Sequence, residues 1–159
     1  MKIKIGVGYD IHRLVKGEKL WLGGIHIPFS KGLLGHSDGD CLIHALSDAF
    51  LGALGKGDLG TFFPDTDPKY KDISSRIILK NVMEKIRIQG YKILNVDSII
   101  IAEEPRMEPH IPEMKKVLCP ILGVHSDDLG IKAKTHERMG EIGKGKAMAA
   151  WAAAVLKKP

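Results

Sequence analysis

With 159 residues, 44% of them hydrophobic and 27% charged, the chain is long enough to bury a core and reads as one domain over residues 1–159. It carries no apolar run of membrane-spanning length and no basic, apolar leader, which excludes a spanning helix by sequence and leads us to expect a cytoplasmic protein. The net charge of +5 favours anionic partners, and because the lysines are scattered rather than clustered among aromatics, a phosphorylated small molecule fits better than nucleic acid.

From Ile3 to His12, apolar residues alternate strictly with polar or small ones. Ile3, Ile5, Val7, Tyr9 and Ile11 fall on one face; Lys4, Gly6, Gly8, Asp10 and His12 fall on the other. A period of two predicts a strand, with the apolar set toward the core and Asp10 and His12 projecting from the opposite face beyond glycines that leave room for a ligand. Gly23-Gly24 between two short apolar runs predicts a hairpin over Leu20 to Phe29. A helix is expected from about Asp38 to Leu54, with Ser37 and Asp38 as candidate caps and Leu42, Leu46, Ala49, Phe50 and Ala53 at helical spacing. A second helix is expected from Ser74 to Gln89, capped by Ser74 or Ser75 and ended by Gly90. Ile93 to Ala102 reads as a buried strand, Pro112 to Leu122 as a helix closed by Gly123, and Ile131 to Thr135 as a last strand. The alanine-rich segment Lys146 to Lys157 reads as a final helix. This order predicts an α+β domain, a mixed sheet layered with helices.

Asp10, His12 and His44 are candidates to hold one divalent metal. Two donors are fixed by one strand and the third by the following helix, where His44 has Asp40 and Asp48 at i−4 and i+4. Either carboxylate is a candidate to take the second imidazole N–H, as outer partners of metal-bound histidines do. Three N/O ligands with an open fourth position describe catalytic rather than structural zinc. Cys41 and Cys119 form no CxxC pair and are expected to be reduced, buried thiols rather than ligands or a disulfide.

Four segments carry a resemblance: GYDIHRL from Gly8, IPFSKGLLGHSDGDCLIHALSDAFLGALGKGDLGTFFPDTDP from Ile27, AEEPRMEPHIPEM from Ala102, and IKAKTHERMGEIGKG from Ile131. In these segments, which come in family order along nearly the whole chain, it resembles the 2-C-methyl-D-erythritol 2,4-cyclodiphosphate synthases, the cyclases of the non-mevalonate isoprenoid pathway.

The resemblance implies an enzyme in which the 2-phosphate of 4-diphosphocytidyl-2-C-methyl-D-erythritol 2-phosphate attacks the β-phosphorus, CMP leaves and a cyclic diphosphate forms. It implies one Zn²⁺ per chain on Asp10, His12 and His44, and Mg²⁺ or Mn²⁺ on Glu137. His36 and Thr135 fall on positions that stabilise the transition state. Asp10, His12, His36 and Ser37 would contact substrate, as would Asp58, Leu59 and Gly60 with Phe63, Pro64, Asp65, Thr66 and Asp67 around the sugar hydroxyls. Ala102, Glu103, Glu104, Pro105, Arg106, Met107 and Glu108, together with Lys134, Thr135, His136 and Glu137, would hold the cytidine diphosphate side. The resemblance also implies a homotrimer with active sites between subunits. Where many relatives carry an aromatic residue and an arginine around a cavity on the trimer axis that can hold an isoprenoid diphosphate, this chain has Glu141 and Lys144, so the cavity is expected to be closed by ion pairs. Two other classes share part of the pattern: a zinc-dependent phosphohydrolase, which needs an activated water and a base, and a non-catalytic nucleotide-binding module.

Overall fold

The computed structural model describes residues 1–159. Strand β1 (Lys2–Lys16) is followed by the hairpin β2 (Leu20–Leu22) and β3 (Ile25–Ile27), then β4 (Lys31–Leu34). Helix α1 (Cys41–Leu54), the short α2 (Leu59–Phe62) and α3 (Ser75–Ile88) lead to β5 (Lys92–Ile101), α4 (Ile111–Leu122), β6 (Leu129–Lys134), the short α5 (Gly140–Gly143) and β7 (Ala147–Lys158). The main sheet has the order β4-β1-β7-β5-β6; β5 and β6 run parallel and the other neighbours antiparallel. The result is the expected single α+β domain with a mixed sheet. None of its helices is long and apolar enough to cross a membrane.

Two expectations about the sheet are overturned. The segment expected to be the final helix is instead β7, a central strand paired with β1 on one side and β5 on the other. Alanine favours helices locally, but propensity is a weak prior that tertiary pairing overrides. Here Ala150, Ala152, Ala154 and Leu156 are buried while Trp151 and Ala153 between them are exposed, the period of a strand.

The second correction concerns which face of β1 meets the core. Its apolar set is exposed, Ile5 to 70% and Val7 to 65%, with Trp151 of β7 beside Tyr9 at a ring separation of 5.0 Å. The face that packs against α1 is the one carrying Gly6 and Gly8. A Cβ on Gly6 would lie 1.9 Å from the Ala49 carbonyl oxygen, and one on Gly8 would lie 2.0 Å from that of Ala45. In register, Gly6 stands beside Ala154 and Gly8 beside Ala152, so a row of small residues on two strands lets the helix backbone rest directly on the sheet. The helix thus selects the face that permits the closest approach, and the branched face is left uncovered.

The hairpin turn, Gly23 and Gly24 at φ +61° and +77°, is as expected. Helix α1 starts at Cys41 rather than Asp38, because Asp40 is its cap. The Asp40 carboxylate accepts from Ile43 N at 3.0 Å and also from Gly23 N (3.0 Å) and Gly24 N (2.7 Å), tying the hairpin turn to the helix start. Ser74 stands at the cap position of α3 without a side-chain bond; the Asp38 carboxylate takes Ser75 N there instead at 2.9 Å. Cys41 is buried at the head of α1, where burial pushes its thiol well up, while Cys119 on α4 is only half-buried; both are free.

The packing of α1 on β1 yields a prediction. Gly8→Ala forces a methyl into the Ala45 carbonyl and is expected to destabilise the protein by about 3 kcal/mol or more, at the upper end for overpacking. Gly52→Ala lies on the exposed side of the same helix in open contact (3.6 Å to the Val7 oxygen). It should be neutral or stabilising by about 0.5 to 1 kcal/mol. Urea unfolding midpoints of the two variants check the contrast.

Candidate functional site

Asp10 and His12 leave the helix-covered face of β1 one pleat apart, and α1 brings His44 over them. Asp10 Oδ2 lies 2.8 Å from His12 Nε2 and 3.0 Å from His44 Nδ1, and the two imidazole nitrogens are 3.1 Å apart. Bonds of about 2.0–2.2 Å in a tetrahedral centre place ligand atoms ~3.3 Å from one another, so this triangle is the size a small tetrahedral metal spans. The cluster is the group in the structure that meets metal-ligand geometry. Burial works against the charge on Asp10, but hydrogen bonds from His12 and His44 outweigh it and hold the carboxyl below its usual range. For His12, burial is likewise outweighed, by Asp10, and its protonation is favoured.

The nitrogens facing away from the cluster are also engaged. His12 Nδ1–H donates to the Leu34 carbonyl at 2.9 Å, so that Nε2, facing Asp10, is the nitrogen that would ligate a metal in place of its shared proton. His44 Nε2 reaches Ser75 Oγ at 2.9 Å and Ser37 Oγ at 3.1 Å. The Ser75 hydroxyl donates to the Asp38 carboxylate, so its oxygen accepts from His44 Nε2–H; a metal in the triangle would take the place of the proton His44 Nδ1 shares with Asp10. The expected outer partners, Asp40 and Asp48, are elsewhere: Asp40 caps α1, and Asp48 accepts from Leu59 N at 2.8 Å, fastening α1 to the Asp58 loop. Burial pushes Asp48 up. Ser75 carried no sequence signal as an outer partner, since it lies 31 positions from His44 and reads as a helix cap.

The cluster opens into a cavity of 440 Å³ that also contains His36, Ser37, Asp58, Leu59, Gly60, Phe63, Pro64 and Asp65. Asp48 also lines it, and Tyr70, Ile73 and Ile78, which were not anticipated, complete its wall. Thr66 and Asp67 are not part of the lining. The Asp67 carboxylate caps the next turn through Lys69 N at 2.9 Å, and its carbonyl faces His36 Nε2 at 3.3 Å.

A separate cavity of 670 Å³ is formed by Ala102, Glu103, Glu104, Pro105, Arg106, Met107, Glu108, Lys134 and Thr135, joined by Ala133 and the unanticipated Phe29. The structure therefore brings the nucleotide-side residues together but places them apart from the metal cluster within one chain. His36 and Thr135 face different cavities. Thr135 stands just past the end of β6, and its hydroxyl donates to the Glu137 carboxylate at 3.2 Å. Neither His136 nor Glu137 lines either cavity. Glu141 also lies outside both and pairs with Lys144 Nζ at 3.1 Å and Lys146 Nζ at 3.3 Å, which hold its carboxyl below the usual range.

The YgbB family profile matches residues 3–157. This chain belongs to the YgbB family. It is 51% identical over 154 residues, 97% of the chain and 96% of its counterpart, to a Treponema denticola protein named 2-C-methyl-D-erythritol 2,4-cyclodiphosphate synthase. Among solved structures it is similar to the bifunctional IspDF of Campylobacter jejuni (TM-score 0.94, 36% identity), covering 99% of this chain and 43% of that longer one. It is also similar to a CDP complex of IspF from Plasmodium falciparum (TM-score 0.86, 37% identity), with 99% of this chain and 97% of that one covered.

The outer bond to His44 is testable. If the cluster holds a divalent metal, Ser75→Ala should weaken its affinity, measured with added Zn²⁺, by about 10- to 100-fold, the usual effect of losing an outer partner, with the far-ultraviolet circular dichroism unchanged. Competition with a chromophoric chelator measures it; full affinity in a folded variant would show that Ser75 does not orient His44.

Proposed function

We propose that the protein converts 4-diphosphocytidyl-2-C-methyl-D-erythritol 2-phosphate to 2-C-methyl-D-erythritol 2,4-cyclodiphosphate with release of CMP. It does so in the cytoplasm, as a homotrimer of one-domain chains whose active sites lie between subunits. The observation that carries this reading is the division of labour in one chain. The Asp10, His12 and His44 cluster opens into one cavity, the loop Ala102–Glu108 with Lys134 and Thr135 lines another, and the apolar face of β1 and β7 between sheet edges is uncovered. Docking of that face against other copies would bury Ile5, Val7 and Trp151, and is the arrangement in which a cavity from one chain meets its complement on the next. The relatives' shared name and the nucleotide in the Plasmodium falciparum complex support the same assignment.

In this reaction an anionic phosphate oxygen attacks an anionic phosphorus, one P–O bond forms to it and the P–O bond to CMP breaks; no water enters. Positioning and charge neutralisation are what the protein supplies. His36 donates an imidazole N–H and Thr135 a hydroxyl or backbone N–H to phosphate oxygens as charge shifts between them. Ser37, Asp58 and Asp65 fix the sugar alcohol, the carboxylates accepting from its hydroxyls. The backbone of Ala102–Glu108 reads the cytosine edge, and Lys134 offsets phosphate charge. Asp10, His12 and His44 have the donor set and spacing to hold Zn²⁺, and the Glu137 carboxylate would be the protein ligand of Mg²⁺ or Mn²⁺. Metals held by these residues would supply Lewis-acid neutralisation of the diphosphate.

Phosphorus NMR of protein, substrate and Mg²⁺ tests the chemistry. Cyclic diphosphate with CMP is the expected product; open-chain phosphates would indicate a hydrolase, and unchanged substrate a binding module. The shared site has its own test: inactive His44→Ala and inactive Thr135→Ala chains, mixed so that subunits exchange, should recover part of the activity. No recovery despite demonstrated exchange would place the whole site within one chain. Base reading is checked with a uridine analogue. It presents an acceptor where cytidine has a donor, so its turnover should fall by about 1 to 3 kcal/mol of kcat/KM; equal turnover would contradict it.

A further inference from the structure

Two consecutive non-glycine residues, Glu137 and Arg138, sit in the left-handed region at φ 50° and 60°. Such backbone persists only where its surroundings over-determine it. The turn is held locally by His136 Nδ1 donating to the Met139 carbonyl at 2.8 Å and by Glu137 N donating to Thr135 Oγ1 at 3.3 Å. It is backed by Gly143, where a Cβ would lie 2.2 Å from the Arg138 carbonyl carbon. Met139 N also donates to the His136 carbonyl at 2.9 Å, and a further contact comes from the adjoining loop that lines the second cavity. A single oxygen, Glu103 Oε2, accepts from His136 N at 3.1 Å and from Arg138 N at 3.5 Å.

Glu103 is half-buried and belongs to the loop that lines this cavity beside Thr135. A carboxylate facing a phosphorylated ligand would repel it. Here the charge is directed instead at two backbone N–H groups that flank Glu137, and these amides have no carbonyl partner in the turn.

We propose that Glu103 is a positioning residue rather than a substrate contact: by gripping the left-handed turn it aims the Glu137 carboxylate and the Thr135 hydroxyl, joining the nucleotide-side loop to the catalytic turn. The proposal rests on the cyclase reading above. The parent protein's product tests that reading, and the comparison of variants with the parent tests this one.

The experiment compares Glu103→Ala and Glu103→Gln with the parent. Three quantities are followed: kcat and KM, the affinity for CDP by calorimetry, and amide hydrogen exchange at His136 and Arg138. Glu103→Ala should lose about 10- to 100-fold in kcat, the scale of a small misplacement of reacting groups, with CDP affinity held within about 3-fold. Exchange at both amides should quicken. Glu103→Gln retains an oxygen acceptor at the same reach and should restore most of the kcat and the slow exchange. Gly143→Ala, which displaces Arg138 from the other side, should reproduce the alanine signature, and stands in if Glu103→Ala does not fold. Unchanged kcat with unchanged exchange in Glu103→Ala would overturn the proposal. So would a loss confined to CDP affinity and KM in both Glu103 variants, which would make Glu103 a direct substrate contact.

Discussion

The contact on which the rest of the structure depends is that of helix α1 lying backbone-to-backbone on strands β1 and β7. Gly6 and Gly8 on one strand and Ala152 and Ala154 on its neighbour leave nothing between the sheet and the carbonyls of Ala45 and Ala49. Since His44 precedes Ala45 on that helix, and Asp10 and His12 continue the face that carries Gly6 and Gly8, the close approach carries the three ligating groups to within 3.1 Å of one another. The metal cluster follows from backbone packing. Larger residues at Gly6 or Gly8 would raise the helix and open the triangle before touching any ligand.

The same choice of face has an electrostatic and an assembly consequence. With the small-residue face covered by α1, four carboxylates, those of Asp10, Asp48, Asp58 and Asp65, converge on the cavity beneath the helix end. A phosphorylated ligand entering such a cavity would be repelled unless cations intervened, so a metal held on Asp10, His12 and His44 would favour binding there by neutralising charge. On the other side, the branched and aromatic residues of β1 and β7 are left to solvent in the isolated chain. Large exposed apolar surface of this kind marks an interface. One packing decision thus yields both an acidic pocket beside the Asp10, His12 and His44 cluster and an uncovered apolar sheet face.

Much of this was legible in the residues. The period of two in Ile3–His12, the Gly23-Gly24 turn, the caps at Gly90 and Gly123 and the spacing of Asp10, His12 and His44 each follow from local rules, and the structure places them as those rules require. What was not legible lay in tertiary choice. Hydrophobicity points Ile5 and Val7 inward, yet a helix gains more by resting on glycine. In Ala147–Lys158, alanines occupy both faces and hide the alternation that only Trp151 and its neighbours reveal. The run Ser37–Asp40 offers several equivalent caps, and only distant partners assign them: the hairpin amides claim Asp40, and Ser75 claims Asp38. The division of the expected substrate residues between two cavities is likewise invisible in sequence, where they read as one family pattern.

The central claim is that Asp10, His12 and His44 form one metal centre because α1 is seated on Gly6 and Gly8. Its most direct measurement is anomalous diffraction at the zinc absorption edge from crystals of the purified protein. The account predicts one strong peak per chain, about 2.0–2.2 Å from Asp10 Oδ2, His12 Nε2 and His44 Nδ1. A zinc peak on other residues, or zinc-replete crystals with no peak between these three atoms, would contradict it.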